Sequence, residues 1–93
     1  GASTMFWAAT ASEYRLARDE AIFCPKDEPD LAVLERVFDH YNGKLPADYP
    51  GRCVAPSDVL ELYDAEKRRY YYRDMKQFVP VAFSPLLARP IQK

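Results

Sequence analysis

Asp30-Leu31-Ala32-Val33-Leu34-Glu35-Arg36-Val37-Phe38-Asp39-His40-Tyr41, closed by Asn42-Gly43, is the stretch that decides the architecture of this chain. Leu31, Leu34, Phe38 and Tyr41 recur at three- and four-residue spacing and make one apolar stripe, which Val33 and Val37 widen. Pro29 is tolerated at a helix start because its missing N–H has no partner there in any case. Asp27, Glu28 and Asp30 favour the positive end of the helix dipole. Asn42-Gly43 accepts the left-handed conformation that ends a helix. The spacing predicts one main helix over residues 30–41.

Downstream the period changes. Val59-Leu60-Glu61-Leu62-Tyr63 reads as a strand and Asp64-Ala65-Glu66-Lys67 as a polar turn. Residues 69–73 then complete a hairpin. Phe78-Val79-Pro80-Val81-Ala82-Phe83 is a third strand, which Pro80 assigns to a sheet edge because proline cannot donate to a ladder. Residues 44–56 carry Pro46, Pro50, Gly51 and Pro56 and read as a loop, with one helical turn expected at 47–49.

Upstream, Met5-Phe6-Trp7-Ala8-Ala9 reads as a strand. Thr10-Ala11-Ser12-Glu13 fits a capping box, with Thr10 and Glu13 satisfying each other's backbone N–H groups. A short helix over residues 11–18 is expected from it, then a strand over 21–24 closed by Pro25. Residues 1–4 read as an expression-tag remnant, 5–83 as a single domain and 84–93 as a tail that docks through Leu86 and Leu87. The fold class is therefore α+β. One small domain should carry a mostly antiparallel sheet of about three to five strands, with a main helix (30–41) and a short one (11–18).

Composition narrows the function classes. Ninety-three residues suffice for one core. A formal net charge of −1 argues against a general polyanion binder, so nucleic acid is not the expected partner. No segment is long and apolar enough to cross a bilayer, and no secretory leader is legible. A cytoplasmic location is expected, with Cys24 and Cys53 as buried or partly buried thiols. Three glycines leave no room for a phosphate-cradling loop. No metal and no cofactor are expected: there is no Cys-x-x-Cys and no histidine pair, and Asp27, Glu28 and Asp30 suit a helix start better than a carboxylate site.

His40, the one histidine, could act as base to Cys24 or Cys53, but no local motif surrounds either cysteine and the helix dipole favours a cation at that end. Ser57-Asp58 lacks the strand–Gly-x-Ser-x-Gly–helix setting of a nucleophile. At a loop-to-strand junction, both side chains are expected to satisfy backbone donors. Asp58 is therefore a structural residue, and the chain is not expected to be an enzyme.

Lys67-Arg68-Arg69-Tyr70-Tyr71-Tyr72-Arg73 is the sharpest chemical cluster. On a strand, Arg69, Tyr71 and Arg73 share one face and Tyr70 and Tyr72 the other. Three readings stand. Tyr70 and Tyr72 face the core while the basic residues pair with Asp64, Glu66 and Asp74. Alternatively Arg69, Tyr71, Arg73 and Arg68 face outward as a protein interface, where Tyr and Arg concentrate binding energy. Or the same residues stack a base and neutralise a phosphate.

The order of these features resembles the YodL-like domain. Leu34-Glu35-Arg36-Val37-Phe38 with Tyr41-Asn42 is similar to the family's helix, which ends in an aromatic–Asn pair. Pro46-Ala47-Asp48-Tyr49 with Gly51 is similar to its connecting turn, and Ser57-Asp58-Val59 to the opening of its next strand. Tyr70 to Tyr72, Asp74 and Phe78-Val79-Pro80 resemble its closing hairpin. Arg52-Cys53 stands where members have His-Ser, and Gln77 where they have Gly. Asn42, Gly51, Ser57 and Asp58 are read as structural residues, and the resemblance brings no catalytic residue with it. It also implies a mobile-element or phage origin. The function expected is a non-enzymatic protein-binding module, with an inhibitor of a host defence protein as its sharper form. A small-ligand or nucleotide-sequestering protein, and a minimal Cys/His enzyme, are the alternatives.

Overall fold

A computed structural model describes residues 2–10, 13–22, 24, 27–43 and 53–83. Along the chain run β1 (Ala2–Ala9), β2 (Tyr14–Ile22), α1 (Asp30–Gly43), β3 (Val59–Tyr63), β4 (Arg68–Arg73) and β5 (Phe78–Pro80). The strands form one five-stranded sheet in the order β2-β1-β3-β4-β5, and every pairing is antiparallel. The α+β class follows: a hairpin, a helix, then a three-stranded meander whose first strand docks beside β1.

Because strand side chains alternate, each face has its own set. Phe6, Ala8, Leu60, Leu62, Tyr71 and Phe78 meet Val33, Leu34, Val37 and Tyr41 of α1 in one core. Phe6 packs on Tyr41 at 5.7 Å between ring centroids, and Phe38 on Phe78 at 6.1 Å. The helix presents Val33, Val37 and Tyr41, a row at four-residue spacing, with Leu34 beside them. Leu31, expected in the stripe, is 53% exposed, because it shares its row with the exposed Glu35 and Asp39.

The helix expected over residues 11–18 is absent from its described part, 13–18, of which β2 takes 14–18. The Glu13 N–H does donate to Thr10 Oγ1, at 3.2 Å, but Thr10 N–H and Thr10 Oγ1 also donate to the Glu13 carbonyl, each at 2.8 Å. That closes a hairpin turn. The Thr-to-N–H bond is common to capping boxes and to such turns, so the local pattern cannot choose between them. Pairing with β1 chooses.

The helix also runs to Gly43, two residues past the expected end, and no described glycine has a positive φ. Asn42 does not act as a left-handed stop. Its side chain instead donates to the Val54 carbonyl at 2.8 Å and accepts from the Val54 N–H at 3.0 Å, as a strand partner would.

At the front of the chain β1 begins at Ala2, ahead of the domain start expected at Met5, and Thr4 is only 1% exposed. Gly51, the helical turn expected at 47–49 and the docking expected of residues 84–93 lie outside the described residues. β5 is three residues long, ends in Pro80 and forms one edge.

Candidate functional site

The alternation of β4 is as the sequence suggests, but its faces are the reverse of the outward assignment. Tyr71 pairs with Leu60 and Arg69 with Leu62, both core residues, so Arg69, Tyr71 and Arg73 turn toward α1. Tyr71 is 9% exposed and Arg73 8%. The Tyr71 hydroxyl donates to Asp30 Oδ2 at 2.5 Å, and Arg69 grips the same carboxylate through Nε and, at 3.1 Å, through Nη2. The Arg73 guanidinium stacks on Phe38 and Phe78, 4.0 and 4.9 Å from the ring centroids, and reaches Glu35 at 3.4 Å.

The physical reason is charge. The first half of α1 supplies Asp30 and Glu35, and these acids hold the basic face inward while the side-chain stems cover apolar rings. The partners expected from sequence are otherwise engaged. Asp64 accepts from the N–H groups of Glu66 and Lys67 in its own turn, and Asp74 from that of Met75. Burial pushes the Asp30 carboxyl up, but the bonds from Arg69 and Tyr71 and nearby positive charge outweigh it, so its pKa lies below the ordinary value. Burial and then the bond to Asp30 push the Tyr71 hydroxyl up.

Ser57 and Asp58 build the junction between loop and strand. Asp58 is fully buried, and its two carboxylate oxygens accept from the Ala9 and Ala55 N–H groups, each at 2.8 Å. The Asp58 N–H closes a turn on the Ala55 carbonyl at 3.1 Å, with Pro56 and Ser57 at its centre. Ser57 has φ 83°, the third-position conformation of a type II turn, which favours glycine. Surrounding bonds hold it there: its N–H donates to the Arg73 carbonyl at 2.8 Å, its carbonyl accepts from Tyr14 at 2.7 Å, and its hydroxyl meets Tyr72 at 3.2 Å.

Arg68, Tyr70 and Tyr72 lie on the other face of the sheet, and among the described residues no helix covers it. Phe83 is its hub, 5.8 Å from Trp7, 5.1 Å from Tyr14 and 5.5 Å from Tyr70 between centroids. Beneath lies a fully buried carboxylate, Glu61, which accepts from Trp7 Nε1 at 3.0 Å and pairs with Arg68. Arg68 also lies over the Tyr63 ring at 4.5 Å. Leu16 of β2, opposite Trp7, adds an apolar side chain that is 47% exposed. Tyr14, Tyr63, Tyr70 and Tyr72 are half-buried, each with an apolar body and a polar tip.

Sequence reasoning placed Arg68 with Arg69, Tyr71 and Arg73; the structure separates it from them. It passed over Trp7, Tyr14 and Glu61. The readable signal for Glu61 was a lone acid within Val-Leu-Glu-Leu, a strand otherwise apolar on both faces. His40 is exposed at the end of α1 with its ring 5.2 Å from Tyr41, Cys24 packs half-buried against the core, and Cys53, expected at least partly buried, is exposed.

A family model described as YodL-like domain matches residues 3–83. No curated protein matches the chain, and no solved structure does.

Proposed function

The chain belongs to the YodL-like domain family, and we propose that it works as a non-enzymatic protein-binding module through the helix-free face of its sheet. The observation that carries this reading is the composition of that face: four half-buried tyrosines, of which Tyr14 and Tyr70 pack on Phe83, with Arg68 and Leu16 at the margin. Tyr supplies large contact area with little rotamer entropy to lose, and Arg a fork of directional donors. The Tyr14, Tyr63 and Tyr72 hydroxyls and Arg68 are tied to Ser57, Asp19 and Glu61, so the fitting partner is a protein surface with apolar side chains at its centre and an acceptor for the Tyr70 hydroxyl. A mobile-element or phage setting, a cytoplasmic location and a host defence protein as target are the sharper forms of the same proposal.

The non-enzymatic part is supported by how the candidate groups are used. Asp58 spends both oxygens on backbone N–H groups, and Ser57 is held inside a turn. A ligand site built on Arg69, Tyr71 and Arg73 loses its support, since all three are engaged with α1.

The test is affinity capture from host lysate with wild-type protein and a Leu16→Glu, Tyr70→Ala double variant. A stoichiometric protein partner retained by wild type and lost by the variant, at unchanged thermal melt, is the expected result. Equal capture by both proteins would overturn the assignment of this face.

A further inference from the structure

On the opposite side of the sheet, a cleft of about 210 Å³ opens between α1 and the β1–β2 hairpin. Its polar groups come from cross-strand neighbours and from the helix. Thr4 and Glu20 are direct partners across β1 and β2, and Tyr41 reaches down from α1 to donate its hydroxyl proton to Glu20 Oε1 at 2.5 Å. Ile22 and Val37 supply apolar wall, and on the helix side stand His40 and Arg36, the latter paired with Glu28 at 2.7 Å.

Thr4 is the anomaly. It is 1% exposed, it lines the cleft, and its hydroxyl oxygen has no hydrogen-bond partner. A buried hydroxyl without a partner destabilises the fold, and valine would fill the same volume without that cost. Beside it lies the Glu20 carboxylate, whose Oε1 takes the Tyr41 hydroxyl and faces Arg18 Nε at 3.6 Å, while Oε2 keeps lone pairs to offer. Thr4 Oγ1, the Glu20 carboxylate and Tyr41 Oη thus offer three kinds of oxygen acceptor in one small space.

We propose that this cleft binds a small primary ammonium compound of amino-acid size. An ammonium group has three N–H donors, which match the Thr4, Glu20 and Tyr41 oxygens. Its alkyl part lies against Ile22 and Val37. An anionic group on the same molecule would lie toward His40, so a free α-amino acid and a simple alkylamine share the ammonium chemistry and differ at that end. The site is separate from the helix-free face, and neither proposal depends on the other.

The experiment follows the methyl resonances of Thr4, Ile22 and Val37 by NMR during titration with isopentylamine, leucine and N-acetyl-leucine. Isopentylamine or leucine shifts these resonances in a saturable way, and N-acetyl-leucine, which lacks the ammonium, does not. Tighter binding of leucine identifies an amino acid as the source; tighter binding of the amine identifies an alkylamine. Thr4→Val and Glu20→Gln each weaken binding by about tenfold, the scale of one hydrogen bond to a charged group, while Thr4→Val melts at the wild-type temperature or above. No saturable shift at millimolar ligand, equal binding of N-acetyl-leucine, or unchanged affinity in both variants overturns the proposal.

Discussion

Trp7 donates its indole N–H to Glu61 across the helix-free face at 3.0 Å, with Trp7 2% exposed and Glu61 fully buried. The bond joins β1 to β3, the pairing that unites the hairpin with the meander. Arg68 from β4 completes the carboxylate's partners. Replacing Glu61 by Ala strands the indole N–H and removes the Arg68 partner at once. Breaking a buried pair from one side costs about 3–5 kcal/mol, and the half-exposed Arg68 can recover water, so a loss of about 3 kcal/mol is expected. Glu61→Gln, which keeps an acceptor for Trp7, should lose markedly less. Urea unfolding followed by Trp7 fluorescence measures both.

Asp58→Ala should destabilise the chain by about 2 kcal/mol or more, since it removes the acceptor of two backbone N–H groups in a buried site. The Ala9 bond ties the end of β1 to the start of β3, and the Ala55 bond holds the turn before it. Asp58→Asn should recover part of the loss, because one amide oxygen still accepts. A wild-type melting temperature for Asp58→Ala would contradict the structural role.

Ser57→Gly separates backbone strain from side-chain contact. At φ 83° glycine relieves a penalty of about 1 kcal/mol, while the substitution gives up the contact with Tyr72 at 3.2 Å. The expected outcome is equal or higher stability. Ser57→Val, which combines a β-branched side chain with the same φ, should be clearly destabilising. Paired denaturation curves read the difference.

Acid should weaken the contact between α1 and β4. The Asp30 carboxyl has a pKa below its ordinary 3.8 in the folded chain, so folding favours its ionised form. That contribution is fully present above the ordinary value and is lost as pH falls through the folded pKa, on the acid side of 3.8. Asp30→Asn should lower stability at neutral pH and flatten the stability profile in that acid range. An unaltered profile in the variant would assign the acid sensitivity elsewhere.

Much of this protein is legible in its residues alone. The apolar spacing from Leu31 to Tyr41 specifies a helix, because only one face of that segment can leave water. The hairpin of β3 and β4 follows from alternation around a polar turn, and Pro80 marks an edge strand because it has no N–H to donate. Asp58 is recognisable as an acceptor at a loop-to-strand junction from local chemistry. What only the tertiary structure decided are the choices on which local physics is neutral. Thr10 and Glu13 make the same bond in a helix cap and in a hairpin turn, and pairing with β1 settles it. Period-two alternation puts Arg69, Tyr71 and Arg73 together but is symmetric between faces. Asp30 and Glu35, distant in sequence, break that symmetry and draw the basic residues inward. The meeting of Thr4, Glu20 and Tyr41 has no local signature, since it exists only once α1 lies across β1 and β2.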